Sequence, residues 1–419
     1  MHVVFVHRGV YPERIGGTYS YIYELGRRLA ASGHTVRVIA NTREDVAPEP
    51  YLSEGMWIHT YAFPRRNRLE SSIRHLTTVS RMFEQIHDEQ PIDVLSVHEA
   101  LLGWQLARTR VGRSVCQLPT FHAPGFLEFR LLTSWQLRDE PSWFKRAAKR
   151  LAASQIERSQ RAMESGVLVC ANGIHVLSRY SKEHIENQFH SVDTGKVEII
   201  PGGVDSSRFR PADDRDAVRE LMGIPPETIE ILTVRNLSPR MGLENLVTAL
   251  HQVIHSDATD RGNRLHLTIC GDGLLRGALE NQIESLSLSD RVTLAGRVTD
   301  DELVQRYQAA DLFVLPTAAM EGFGISTVEA LSCNLPVIGT PAGATPEILL
   351  PIDERLVTRD TSADAIADAM LSWLNRSGEG CGSTYRDEVL AKYDWDTVAR
   401  RMESWYESEL VRFRSEDGR

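Results

Sequence analysis

Cysteine is scarce in this chain: there are five in 419 residues, Cys116, Cys170, Cys270, Cys333 and Cys381, with no C-x-x-C pair among them. An odd, scattered set of this kind speaks against a disulfide framework or a thiolate zinc site and is expected of a reduced, cytoplasmic protein. Basic charge is lacking as well. Against 57 Asp and Glu stand 47 Lys and Arg, a formal charge of −10, which argues against a dedicated nucleic-acid binder, whose surface has to neutralise phosphates. No apolar run approaches the ~20 residues of a membrane helix. The leading run Val3-Val-Phe-Val6 is too short for a secretory signal and is soon cut by Arg8. What is present is ordinary globular composition, 42% hydrophobic and 25% charged, in a length that at ~100–200 residues per domain suggests two large domains.

Short β-branched runs alternate with longer amphipathic ones, the pattern of βα units around a parallel sheet. Strands are expected at 3–7, 35–40, 93–97, 115–122, 167–170 and 197–200. A helix is expected over 18–31, with Tyr21, Ile22, Leu25 and Leu29 on one stripe. The segment Pro201-Gly-Gly-Val-Asp205, followed by Pro211 and the charged run 213–216, breaks this periodicity and reads as a linker. A second series follows, with strands at 229–235, 265–270, 292–294, 311–316 and 336–340. The tail carries Trp395, Val398, Met402, Trp405, Tyr406 and Leu410 at helical spacing. The expected domains are therefore 1–205, joined by the C-terminal helix 393–419, and 212–392.

In open parallel sheets, ligands sit beyond the carboxyl ends of the strands, where helix N-termini present free amides to anions. Two places suit that geometry. Gly16-Gly17 follow the first strand and precede a helix, so the backbone there either approaches a ligand closely or makes a flexible turn. The second place is 316–329, where a strand ends at Pro316 and a helix opens near Ile325. The amides of Gly324, Ile325 and Ser326 would face a diphosphate there. Glu321 precedes that helix start and Glu329 follows it. Paired carboxylates also suit a glycoside hydrolase, but a hydrolase has no need of an anion-binding helix start between them.

The run Glu321-Gly-Phe-Gly-Ile-Ser-Thr-Val-Glu329 resembles the Glu-x-Phe-Gly-x-x-x-x-Glu motif of retaining GT-B glycosyltransferases of family 4. Ala295-Gly-Arg-Val298, Ala309-Ala-Asp311, Pro336-Val-Ile-Gly-Thr340 and the stretch from Gly343 to Glu347 are similar to the family's in their order. So are Gly16-Gly17, Pro201-Gly-Gly-Val-Asp205 and Gly271-Asp-Gly273 upstream. The resemblance covers nearly the whole chain, thinly from 40 to 110.

It implies an α/β GT-B fold, two Rossmann-like doubly wound domains facing each other across a cleft. The acceptor would be held chiefly by the first domain, the donor by the second, and closure would hinge near Gly202-Gly203. It implies that Glu321 lies beside the transferred sugar, that the amides of Gly322, Phe323 and Gly324 hold sugar hydroxyls, and that Glu329 accepts from the ribose. Val298 would offer backbone groups to the base, and His122 would lie near the donor sugar; a structural histidine at a strand end is the other reading of that residue.

The implied reaction transfers a sugar, with retention, from a GDP- or UDP-linked donor to a small-molecule or glycan acceptor. The alternatives are a sugar-nucleotide-binding protein without catalysis and a transferase whose nucleophile is unusual, such as a thiol. A dehydrogenase is a weaker rival, resting on Gly271-Asp-Gly273, because Arg276 stands where a third glycine belongs.

The chain departs from the family at one place. In Val234-Arg-Asn-Leu-Ser-Pro-Arg-Met-Gly242, Asn236 holds the usual Arg position and Met241 the usual Lys position. The leaving diphosphate still needs cations; Arg240 is the first candidate to supply one and Arg235 the second. No cofactor or metal is expected, because Asp214-Arg-Asp216 and Asp394-Trp-Asp396 fall in a linker and a tail helix and read as solvated surface. Finally, Trp143-Phe-Lys-Arg-Ala-Ala-Lys-Arg-Leu151 is aromatic and basic. It reads either as a weak membrane-surface contact or as a lid or acceptor wall packed on the first domain.

Overall fold

The computed structural model describes residues 1–14, 16–42, 47, 49–62, 68–138, 140–256, 261–376 and 384–416, the side chains at 68–76 and 384 excepted. Cys381 lies outside them. The chain divides into two compact units, Met1–Gly202 with Trp395–Arg419, and Gly203–Asp394.

In the first unit, strands His2–His7 (β1), Thr35–Thr42 (β2), Tyr51–Ser53 (β3), Met56–Ala62 (β4), Val94–Val97 (β5) and Cys116–Gln117 (β6) form a sheet of order β3-β4-β2-β1-β5-β6. Only β3 runs antiparallel to its neighbour. All six residues of β1 are buried, as an apolar run covered on both faces should be. The helix Gly17–Ala31 turns Tyr21, Ile22, Leu25 and Leu29 inward. Strands Thr120–Phe121 (β7), Ile174–Val176 (β8) and Val197–Ile199 (β9) make a separate three-stranded parallel sheet. The helix Trp395–Glu416 buries Trp395, Val398, Met402, Trp405, Tyr406 and Leu410 within this unit.

Two expected strands are corrected here. The run 115–122 is split between two sheets as β6 and β7, because Pro119 between them has no N–H to continue a ladder. The run 167–170 is not a strand but the last turn of a 28-residue helix, Trp143–Cys170, in which Glu164, Val167 and Leu168 form the buried face. Four apolar residues do not distinguish a strand from one turn of a buried helix. Strands β3, β4 and β8 are not among those expected from the sequence.

In the second unit, strands Ile229–Val234 (β10), Leu265–Cys270 (β11), Val292–Gly296 (β12), Leu312–Leu315 (β13) and Val337–Gly339 (β14) form one all-parallel sheet of order β12-β11-β10-β13-β14. The order reverses between β10 and β13, so the loops leaving these two strands diverge and open a crevice at their carboxyl ends.

Candidate active site

Arg235 directly follows β10, and its backbone N–H still pairs with the Cys270 carbonyl at 2.9 Å, which fixes the direction of its side chain. The guanidinium turns into the crevice and is buried, 9% exposed. One terminal nitrogen donates to Glu321 Oε2 at 2.7 Å and to Thr317 Oγ1 at 2.9 Å, and lies 2.7 Å from Met241 Sδ. Thr317, which follows β13, also donates to Glu321 Oε2, at 3.1 Å. Arg235 Nε is buried without a hydrogen-bond partner among the described residues.

Glu321 is itself buried, 8% exposed. Burial pushes its carboxyl upward, but the charges of Arg235 and Arg240 and the bonds from Arg235 and Thr317 outweigh this and hold it below the ordinary range. It is a carboxylate. Its backbone is clamped too, because the Ala344 N–H donates to the Glu321 carbonyl at 2.8 Å. Gly343 makes that clamp possible: at φ 61°, a Cβ there would stand 2.1 Å from the same oxygen.

Arg240 binds differently. Its Nη1 donates to the Met320 carbonyl at 2.9 Å, while its own carbonyl accepts from Ala318 and Ala319 at 2.9 and 3.2 Å. It ties the loop after β10 to the loop after β13 and adds positive potential at Glu321. Asn236 is exposed and Met241 is buried.

Gly324, in a left-handed conformation at φ 101°, caps the helix Ile325–Ser332. The leading amides of such a helix have no intrahelical acceptor. The Phe323 ring packs edge-on against Tyr393 at 5.6 Å, leaving its backbone as the part available to a ligand. Glu329 receives the Tyr307 hydroxyl at 2.8 Å. Burial raises its carboxyl to about 7, against the opposing bond from Tyr307 and the charge of Arg208. Val298 follows β12 and is partly buried. Gly271 and Gly273 pack beneath the carbonyls of Arg235 and Leu237. They make room for a neighbouring loop, which removes the feature that favoured a dehydrogenase.

His122, Gly16 and Gly17 belong to the first unit. His122 follows β7, and burial, then His7 and His175, depress its pKa well below the usual imidazole value. Gly16 caps the helix Gly17–Ala31. At the order reversal of this sheet, Arg8 after β1 donates through Nε to Glu99 at 2.9 Å. Asp214 caps the helix Arg215–Leu221 by accepting from the Ala217 N–H, Asp394 accepts from Ser206, and Asp396 pairs with Arg28. Among the described residues, the side chains close enough to share a metal ion are His34, Glu403 and Glu407, in the first unit. There His34 Nε2 already meets Glu403 at 2.7 Å.

Of the residues singled out in the sequence, the structure brings Arg235, Arg240 and Glu321 together and sets Gly324 and Glu329 at and within the helix that follows; Thr317 and Tyr307, which bond Glu321 and Glu329, were not singled out. Neither carries a pattern of its own; both are brought in by packing.

Two family models match the chain, that of Glycosyltransferase Family 4 over residues 15–208 and that of Glycosyl transferases group 1 over residues 214–386. Among curated relatives, a GDP-mannose-dependent monoacylated alpha-(1-6)-phosphatidylinositol monomannoside mannosyltransferase of Corynebacterium glutamicum is 28% identical over 56% of this chain and 61% of its own length. A D-inositol 3-phosphate glycosyltransferase of Catenulispora acidiphila is 27% identical over 78% of this chain and 74% of its own. The match thus spans less than two thirds of the corynebacterial protein. Among solved structures, sucrose-phosphate synthase from Thermosynechococcus elongatus superposes with a TM-score of 0.78 at 22% identity, over 98% of this chain and 99% of that one.

Proposed function

The chain belongs to the GT-B glycosyltransferases of family 4, and from that premise we propose that it transfers a sugar from a GDP- or UDP-linked donor to a hydroxyl of an inositol-type acceptor, with retention and without a metal. The acceptor class is supported by the names of the two curated relatives.

The observation that carries the reading is the buried Arg235 held against Glu321 with its Nε unpaired. The acceptor oxygen attacks the anomeric carbon, the bond from that carbon to the diphosphate breaks, and the electron pair leaves with the nucleotide. The acceptor proton passes to a phosphate oxygen on the same face. The Arg235 guanidinium sets its charge against the departing phosphate, and the amides of Ile325 and Ser326 meet the phosphate oxygens, acting where charge develops. Glu321 stands by the sugar, Glu329 accepts from the ribose and Val298 offers its backbone to the base. The test is a thermal-shift screen of sugar nucleotides paired with product detection. A donor at a hundred times its Kd stabilises by about 2.7 kcal/mol, and transfer to inositol acceptors is expected. Tight binding with neither transfer nor hydrolysis, over cyclitol and glycan acceptors, would instead mark a binding protein.

Donor affinity is expected to depend on pH through Glu329. A carboxyl raised to about 7 keeps a proton that the unfolded chain has released, so between its ordinary value of 4.5 and 7 this group's contribution to stability falls as pH rises. Ribose hydroxyls need the carboxylate form, so donor affinity should fall about tenfold per pH unit below 7, with proton release on binding visible by calorimetry in buffers of different ionisation enthalpy. Glu329→Gln should abolish the dependence; if the slope is unchanged in that variant, the ribose assignment fails.

We further propose that the start of the helix Trp143–Cys170 makes weak contact with an anionic membrane surface. Trp143 and Phe144 are 74% and 69% exposed and Leu151 67%, which counts against a wall packed on the first unit. Lys145, Arg146, Lys149 and Arg150 alternate with them in an acidic protein. No helix among the described residues is long and apolar enough to cross a membrane. Co-sedimentation with phosphatidylserine vesicles should be lost in a Trp143→Ala, Phe144→Ala variant and in high salt; equal binding to neutral vesicles would contradict the electrostatic part.

A further inference from the structure

A neutral imidazole offers one donor and one acceptor, so what His122 presents to a ligand depends on what its other nitrogen meets. Behind the ring, His122 Nε2 lies 2.8 Å from His98 Nδ1. His98 Nε2 lies 3.1 Å from Ser96 Oγ, which in turn lies 2.9 Å from the Tyr406 hydroxyl. Ser96 and Tyr406 expose no surface and His98 is 7% exposed, so this chain of groups is sealed from water at its inner end. The Tyr21 ring closes over it, edge-on to His122 at 5.3 Å and tilted against His98 at 5.8 Å. Both histidines are neutral, since burial, followed by the neighbouring histidines, depresses their pKa values.

The hydrogens in this chain can then be placed one by one. The Tyr406 O–H has Ser96 Oγ as its acceptor among the described residues. If it does not donate there, a fully buried hydrogen goes unpaired, which is costly. Once Ser96 accepts from Tyr406, its own hydrogen has, among the described residues, His98 Nε2 left as acceptor, and that nitrogen must accept. The His98 hydrogen therefore sits on Nδ1 and is donated to His122 Nε2. That places the His122 hydrogen on Nδ1, at the open end of the chain. With the opposite polarity, the unpaired hydrogen would lie at the sealed end, on Tyr406.

We infer that Tyr406, Ser96 and His98 form a one-directional hydrogen-bond relay that fixes His122 in its Nδ1–H form, so that this ring donates to a substrate oxygen. His98 is then a positioning residue, and Tyr406 on the C-terminal helix sets the polarity. An Nδ1–H favours a ligand atom with a lone pair, such as a sugar hydroxyl oxygen, over one that can only donate. The functional part of this inference rests on the reading that His122 touches the transferred sugar; the tautomer does not.

The test is a long-range proton–nitrogen correlation spectrum of the full chain labelled with nitrogen-15 histidine, at neutral pH, with His122 assigned by its loss in His122→Ala. A protonated Nδ1 and a bare Nε2 on His122 are expected, and the reverse in the unsubstituted protein would overturn the relay. In His98→Phe, His122 should move toward the Nε2–H form that free imidazoles favour; retention of Nδ1–H there would show that His98 does not set the tautomer. In kinetics, His98→Phe should lower kcat/KM about tenfold and add nothing to the loss in His122→Ala, whereas additive losses would refute the positioning role. If His122→Ala leaves turnover intact, the sugar contact is what fails, and the spectrum still decides the relay.

Discussion

Replacing Arg235 by methionine is expected to lower kcat by about 10²–10³, the usual cost of removing a donor aimed at developing negative charge. A second effect accompanies it. Breaking a buried ion pair by deleting one partner costs about 3–5 kcal/mol, because the other charge stays buried and uncompensated. The Glu321 carboxyl should then rise, since the guanidinium that opposes its burial is gone. The two effects can be separated. In Arg235→Met, Glu321→Leu no charge is stranded, so most of the stability should return while turnover does not. If that double variant recovers activity together with stability, neither Arg235 nor Glu321 takes part in the reaction and their pairing is structural only. Arg240→Ala should be milder in turnover, because that side chain acts on the site through the Met320 carbonyl and through its potential.

The second large effect is expected at Gly343→Ala, a change of one methyl group. The new Cβ would fall 2.1 Å from the Glu321 carbonyl oxygen and 2.6 Å from its amide nitrogen, on a residue at φ 61°. Neither neighbour is a flexible side-chain end, so the loop carrying Glu321 must move. Left-handed strain alone costs about 1–3 kcal/mol, and a shift of about 1 Å in the reacting groups costs about 10²-fold in rate. The expected pattern is a fall in kcat larger than the loss of melting temperature would account for. A Gly343→Ala protein with full turnover would show that Glu321 does not have to be held at this position.

The alternation of apolar runs is enough to place all five strands of the second unit's sheet, but not β3, β4 or the separate sheet β7-β8-β9 of the first, and the glycine-capped helix start with its flanking carboxylates stands out as residues 321–329. The cation was harder to assign, and the reason is geometric. Sequence favoured Arg240, the residue beside the methionine that stands in the usual lysine position. In the fold, the side chain at the end of β10 reaches across to that methionine: Arg235 lies 2.7 Å from Met241 Sδ and meets Glu321. Register across a sheet, rather than spacing along the chain, brings the charge there. The same holds for Thr317, Tyr307, His98 and Tyr406, each from an element distant in sequence from its partner or unmarked by any motif. The helix ending at Cys170 was hidden for a different reason. Its last turn is short, apolar and β-branched, and only the buried spacing of 164, 167 and 168 betrays it.

The most direct measurement is the anomeric configuration of the product, read by proton NMR after incubation with an α-linked GDP- or UDP-sugar and an inositol acceptor in excess chelator, with released nucleoside diphosphate followed in parallel. The account predicts an α-linked product formed in step with nucleoside diphosphate, and loss of both in Arg235→Met. A β-linked product, a requirement for added metal, or nucleotide release without glycosylated acceptor would contradict it.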